Sequence, residues 1–293
     1  MLCTALIYSP ASGLNFHDPK EAEDSLSAIL SNLNKAQNDS VKQLLNHSFF
    51  LTLRAVLEMP SADQYPFDSL KTLVKLESPD HKFRIFHWNL PNAAGHHQYY
   101  GFLKVLHHDP PLVFELKDKS DSIPDPDTVL LDNTQWFGSL YYKVIPLETA
   151  GDDTVYTLLG WSGKNTTITR KVIEVLSFGH NDRPYFGKKI FQNYPGLNQT
   201  RIIFRYAATT SMSLKLENKV VTVKKGWNSK KRVFETAPVE VMMIVFDRMM
   251  PLDPQLQGQY QFYVPEGDIC DGFAYINKGW SFMTSVGTRN EKK

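Results

Sequence analysis

The chain has 293 residues, 42% of them apolar, 22% charged and 12% aromatic, which suits a folded protein with one large core or two ordinary ones and excludes a disordered chain. With 32 basic residues against 31 acidic, the net charge of +1 supplies no global field to draw the protein to nucleic acid or to an anionic membrane. Cys3 and Cys270 are too few for a disulfide framework or a cysteine-ligated zinc site.

Residues 1–13 read as a truncated signal peptide. Leu2 to Tyr8 is apolar, and Ala11 and Gly13 have the small size a signal peptidase accepts, although the usual positive start is missing. That reading predicts export to a periplasmic or extracellular location; the competing one is an ordinary apolar strand. No run reaches the roughly 18 apolar residues needed to span a bilayer, so no membrane span is expected.

Residues 14–60 predict a helical hairpin. Asp18 is placed to cap a helix, with Pro19 at its first position and Glu21 at its third; Ala22, Leu26, Ile29, Leu30 and Leu33 then share one face, to about Ala36. Asn38-Asp39-Ser40 recaps the chain, and Val41, Leu44, Leu45, Leu51, Val56 and Leu57 carry a second helix that ends before Pro60. Such a stripe either packs on its own domain or serves as a docking arm, and packing is the commoner fate.

From residue 61 to 293 the texture is that of an antiparallel β domain, with short runs rich in Phe, Tyr, Trp, Val and Ile set between Pro, Gly, Asn and Asp. Leu70 to Glu77 and Lys82 to Asn89 form a hairpin, continued by Tyr99 to Leu106 and Pro111 to Leu116. Lys117 to Asp132, with five Asp and two Pro, reads as a surface loop. Ser139 to Pro146 and Thr154 to Trp161 pair across the Gly151-Asp152-Asp153 turn. Asn165 to Leu176 fits either a helix capped by Asn165 or a strand.

A repeat emerges when FRIFHW from Phe83, YYGFLKVL and PLVFEL are aligned with VYTLLGW from Val155, KVIEVLSF and FGKKIF; Trp88 and Trp161 lie 73 residues apart. Arg201 to Tyr206, Ser211 to Glu217 and Val220 to Lys224 then begin a third unit. The predicted fold is mainly β, an antiparallel meander arranged as a propeller or as a two-sheet sandwich. Within the last unit, Val241 to Phe246 is uninterruptedly apolar and fits a strand buried on both faces, with Asp247 at its end; Tyr260, Phe262 and Val264 alternate with polar residues like a half-buried neighbour.

Five motifs carry a family resemblance: Tyr65-Pro66-Phe67-Asp68-Ser69-Leu70; Phe83-Arg84-Ile85 with Trp88-Asn89-Leu90-Pro91; Trp136-Phe137-Gly138 with Leu140-Tyr141-Tyr142; Tyr156 to Trp161; and Gly258 to Tyr263. Together they make most of the chain after about Tyr65 similar to an uncharacterised family of exported proteins from Bacteroidetes-type bacteria. The resemblance implies export and supplies no catalytic residues. The basic insert Lys224 to Arg232 exceeds that family's usual turn, which marks it as peripheral.

Candidate chemistry is sparse. His96-His97 and His107-His108 sit near opposite ends of one predicted strand, roughly 20 Å apart, and neighbours on a strand face opposite ways, so no metal site is expected from them. Asp247 and Asp271, with Asp253, Glu266 and Asp268 in nearby turns, are the candidate catalytic carboxylates, set against ordinary turn chemistry. Trp88, Trp161 and Tyr263 are candidates for stacking on a sugar ring, set against a place in the core. Trp227 among Lys224, Lys225, Lys230, Lys231 and Arg232 reads as a solvated hairpin tip rather than a nucleic-acid site. Serine-nucleophile, phosphate-loop and dinucleotide motifs are missing, so no cofactor is expected; Gly160-Trp161-Ser162-Gly163 is the nearest thing to a nucleophile elbow. These residues predict a binding or structural module for a glycan or protein ligand, with a paired-carboxylate hydrolase at Asp247 and Asp271 as the alternative.

Overall fold

The computed structural model describes residues 16–149, 154–196, 198–229 and 232–289. The predicted signal peptide and the Gly151-Asp152-Asp153 turn lie outside them. Two helices, α1 (Pro19–Lys35) and α2 (Asp39–Leu57), precede an otherwise β chain. Both predicted caps form: Asp18 accepts from the Glu21 backbone N–H, and Asn38 accepts from Ser40 and Val41, satisfying donors that a helix start leaves open.

Three successive meanders follow, all antiparallel. The first sheet is β1 (Val74–Glu77), β2 (Phe83–Pro91), β3 (His97–Val105) and β4 (Leu112–Lys117), in that spatial order. The second is built from β5 (Leu131–Asp132), β6 (Leu140–Glu148), β7 (Thr154–Gly163), β8 (Ile168–Phe178) and β9 (Pro184–Phe186). The third contains β12 (Leu214–Asn228), β13 (Val233–Pro251), β14 (Tyr263–Ile276) and β15 (Gly279–Thr288). Two additions decorate them: β10 (Phe191–Gln192) runs parallel to β15, and β11 (Ile202–Ala207) pairs with β8.

The sheets stack as layers, and alternation along each strand decides which layer a side chain joins. Leu26, Leu30, Phe49 and Leu53 of the helices bury against Phe86, Trp88 and Phe102 on one face of the first sheet, so the hairpin packs on its own domain. The other face carries Phe83, Ile85 and Leu103, which meet Tyr141, Tyr156, Leu158 and Val172 of the second sheet. On the far side of that sheet Val155, Leu159, Ile173 and Val175 meet Ile244, Phe246, Phe273 and Trp280 of the third. A sheet with a neighbour on each side must bury apolar side chains on both faces, which is why Leu158 and Leu159 of β7 and Val172 with Ile173 and Val175 with Leu176 of β8 are adjacent buried pairs. Full burial of each large side chain contributes about 1.5–3 kcal/mol.

No sheet closes into a barrel, and the two-sheet sandwich is extended by a third layer. The aligned repeat holds for its first two strands, since β2 and β7 are each the second strand of a four-stranded meander and are followed by β3 and β8, but FGKKIF leaves its strand at Phe186 and does not match PLVFEL. The first strands sit side by side, with β1 against β6 and the Tyr142 hydroxyl of β6 donating to the Leu214 carbonyl of β12 at 2.8 Å. Three expectations need correction, and one open choice is resolved. The first strand begins at Val74 rather than Leu70. Of the two readings of Asn165 to Leu176, the strand forms, from Ile168 onward, and the Asn165 side chain shapes the turn before it by accepting from the Thr167 and Ile168 N–H groups. Arg201 to Tyr206 belongs to the second sheet, while Ser211 to Lys224 is dominated by one long strand rather than two. Tyr260 to Phe262 is a 3-10 turn whose bend lets β14 start at Tyr263.

Candidate functional site

A cleft of about 300 Å³ opens where three segments distant in sequence converge: the first turns of α2, the β2–β3 hairpin turn, and residues 118–122 after β4. Asn92 shapes the turn. Its side-chain oxygen accepts from the Ala94 N–H at 3.0 Å and the His96 N–H at 2.9 Å, and Gly95 takes a φ of 75°, a region glycine occupies without strain. The first turn of α2 holds this turn in place, since Asp39 Oδ2 accepts from the Ala93 N–H at 3.0 Å and Lys42 Nζ donates to the Pro91 carbonyl at 3.4 Å.

The third wall hangs on Asp118. One oxygen accepts from the Tyr99 N–H at 3.0 Å; the other accepts from the Ser120 N–H at 2.9 Å, from the Ser120 hydroxyl and from the Gly138 N–H at 3.2 Å. Gly138 is required here, because a Cβ at that position would lie 2.6 Å from the Asp118 carboxyl carbon and 2.7 Å from Tyr99 Cβ. A carboxylate so fully engaged with fixed donors clamps the loop.

His97 is the chemically distinctive group of the cleft. The Asn89 amide lies 2.6 Å from its Nδ1, so Nδ1 accepts and the neutral ring carries its proton on Nε2. Partial burial lowers its pKa, helped by the positive Arg170 and by His96. Trp161 sets the ring edge-on, with centroids 5.4 Å apart at 87°. His97 is therefore a fixed N–H donor near neutral pH. Asp39 also lines the cleft, but its Oδ1 is shielded from solvent and accepts no hydrogen bond among the described residues, with Lys42 Nζ 3.9 Å away. Gln98, Ser122 and Lys119 add further donors and acceptors.

Asp247 and Asp271 do not line this cleft and share no partner, whereas Glu266 and Asp271 both pair with Arg248, Glu266 at 3.4 Å. Asp247 lies within β13 rather than at a strand end, almost wholly buried, accepting from the Ser213 N–H at 2.7 Å with Arg289 at 3.4 Å. Its other oxygen faces the Cys270 thiol, whose pKa burial and the carboxylate together push up to about 11, leaving it protonated and unreactive. Asp271 is gripped by both nitrogens of the Arg248 fork at 2.9 and 2.5 Å and accepts from the Ser285 N–H. That contact raises the Arg248 pKa further. Residues 247 and 248 are strand neighbours and point to opposite faces, so the two carboxylates are directed apart. Each is one half of an ion pair that ties the long β13 to the rest of its sheet.

The aromatic candidates divide differently. Trp88 is a core residue between the first sheet and the helices, its indole donating to Asn46 Oδ1 at 2.7 Å. Tyr263 is buried, and its hydroxyl accepts from the Gly258 N–H. Trp161 alone approaches the cleft, and it does so behind His97. No Trp or Tyr lines the cleft, so a stacking platform is not part of it. Ser162 is fully buried and accepts from Arg170 at 3.0 Å, which removes the elbow reading.

Of the histidines, His87 is sealed between two sheets, His81 pairs with Glu77, and His107 and His108 lie in turns. Among the described residues no group of three His, Cys, Asp or Glu side chains is arranged to hold a metal ion. Sequence reasoning missed Asn89, Asn92 and Asp118 as builders of the cleft; the Pro91-Asn92-Ala93-Ala94-Gly95 turn was the one local signal for them. No protein-family model, curated protein or solved structure matches this chain.

Proposed function

We propose that this chain is an exported binding module that takes a small, hydroxyl-rich ligand, a glycan end, in the cleft between α2, the β2–β3 turn and residues 118–122. The observation that carries the reading is His97, which Asn89 holds as a neutral donor in a cleft also lined by Asn92, Gln98 and Ser122. Alternating donors and acceptors suit hydroxyls, which both give and take hydrogen bonds. Asp118 is engaged by four donors, which suits it to hold the loop rather than to take up a proton. Export is supported by the apolar run Leu2 to Tyr8 and by the family resemblance.

Each neutral hydrogen bond contributes about 0.5–1.5 kcal/mol net, and no aromatic platform adds to them, so affinities near the millimolar range are expected. The test is a panel of mono- and oligosaccharides scored by ligand-observed nuclear magnetic resonance, followed by His97→Ala and Asn89→Ala. A saccharide that binds the native chain and loses binding in both variants supports the reading. Binding to none of the panel, or binding that both variants keep, sinks it.

A further inference from the structure

The longest strands of the protein run past their own sheet. β13 pairs with β14 only from Met243 onward, while from Val233 to Met242 its sole partner is β12. The outcome is a two-stranded arm of about ten residue pairs, some 30 Å of ribbon at about 3.4 Å per residue. At its base Val221, Val223 and Val241 join the cluster on the outer face of the third sheet. Level with that base Val220 is 70% and Val239 37% exposed, and toward the far end Trp227 is 56%, Phe234 52% and Val233 50% exposed. Trp227 and Phe234 are cross-strand partners and pack edge to face, with centroids 5.1 Å apart at 68°.

Isolated two-stranded ribbons are marginal in water, and exposed apolar residues clustered on one are costly unless something covers them. Charge says what does. Residues 220–239 carry five basic side chains and one acidic, a net +4 within a chain whose total is +1. The near-neutral total thus hides a strongly cationic arm on a weakly anionic body.

We infer that this arm docks on an anionic lipid surface, inserting Trp227 and Phe234 at the headgroup level while the surrounding lysines meet lipid phosphates. The arm runs beyond its sheet and carries exposed Trp227 and Phe234 on its far half, which suits insertion into an interface. Single-stranded nucleic acid calls for a basic groove with separate faces for successive bases, whereas these two rings pack edge to face on each other beside Val233. The arm holds no part of the cleft, so docking and saccharide binding are independent.

The test is co-sedimentation of the full chain with vesicles of phosphatidylcholine alone and of phosphatidylcholine with about one-third phosphatidylglycerol, at low and high salt. Binding is expected only to the anionic vesicles and is expected to fade at high salt. Combining Trp227→Ser with Phe234→Ser raises the lipid concentration for half-binding about tenfold or more while the melting temperature holds; Lys224→Gln with Lys225→Gln raises it about thirtyfold. Failure to bind anionic vesicles overturns the inference, as does undiminished binding by the aromatic double variant. Equally fatal is an arm that binds single-stranded oligonucleotide or a second copy of the chain and ignores vesicles.

Discussion

Acidification tests the interface between the first two sheets through one side chain. His87 is wholly buried on β2; its Nε2 accepts the Tyr141 backbone N–H at 2.7 Å, and its Nδ1 finds no acceptor within hydrogen-bonding distance. Gly101 opposite leaves just enough room, since a Cβ there would come 3.1 Å from that of His87. Burial pushes the imidazole pKa down from 6.5 to about 4. In the unfolded chain His87 takes up its proton near 6.5, while the folded protein resists until about 4. Between those values the unfolded state holds more protons, so stability is full above about pH 6.5 and falls as the pH drops. With RT at 0.59 kcal/mol the loss is about 2 kcal/mol between pH 7.5 and 5, tending to about 3 kcal/mol below pH 4. Urea denaturation at several pH values in that window, for the native chain and for His87→Gln, isolates the contribution. The glutamine carbonyl can still accept from Tyr141 but does not titrate, so the variant is less stable at pH 7.5 and shows a shallower decline. Parallel curves for the two proteins would refute the buried neutral imidazole.

Three further outcomes follow from the packing. Trp88→Phe removes the donor to Asn46 and strands a buried amide oxygen, costing about 1–3 kcal/mol in thermal denaturation with no change in saccharide affinity; loss of binding instead would restore Trp88 as a ligand residue. Glu174→Gln leaves Arg201 buried without its counter-charge, an ion pair at 2.8 Å with both partners fully buried, and destabilises by about 3–5 kcal/mol; replacing Arg201 by Met as well recovers part of that, measured as a double-mutant cycle. Gly138→Ala drives a methyl into Asp118 and Tyr99, which lowers stability by about 1–3 kcal/mol and weakens saccharide binding, since residues 118–122 hang on that contact.

Local chemistry was legible in the chain. Asp18 with Pro19 and Asn38 with Asp39 cap helices wherever they fold, because the donors they satisfy are two or three residues away. The apolar run Val241 to Phe246 sends Ile244 and Phe246 into one core and Met243 and Val245 into another, as a strand buried on both faces must. The spacing that aligned Phe83 with Val155 reflects two strands in equivalent places of successive sheets. Tyr260 to Phe262 misled because alternation over so few residues also fits a 3-10 turn that exposes and covers side chains in rotation.

What the sequence by itself determined was each element's period, its ends and the order of the meanders, since these depend on neighbours within a turn or a strand. Only the tertiary structure decided the cleft and the fate of the acidic residues. The cleft needs Asp39, Asn92, His97 and Asp118 brought together by helix-on-sheet packing across about 80 residues of chain. Asp247 and Asp271 look like a pair in one dimension, yet strand alternation and a bulge after Asp247 turn them to separate arginines on separate faces. Register fixes which side of a sheet a charge occupies, and register is set by strands that meet only once the chain has folded.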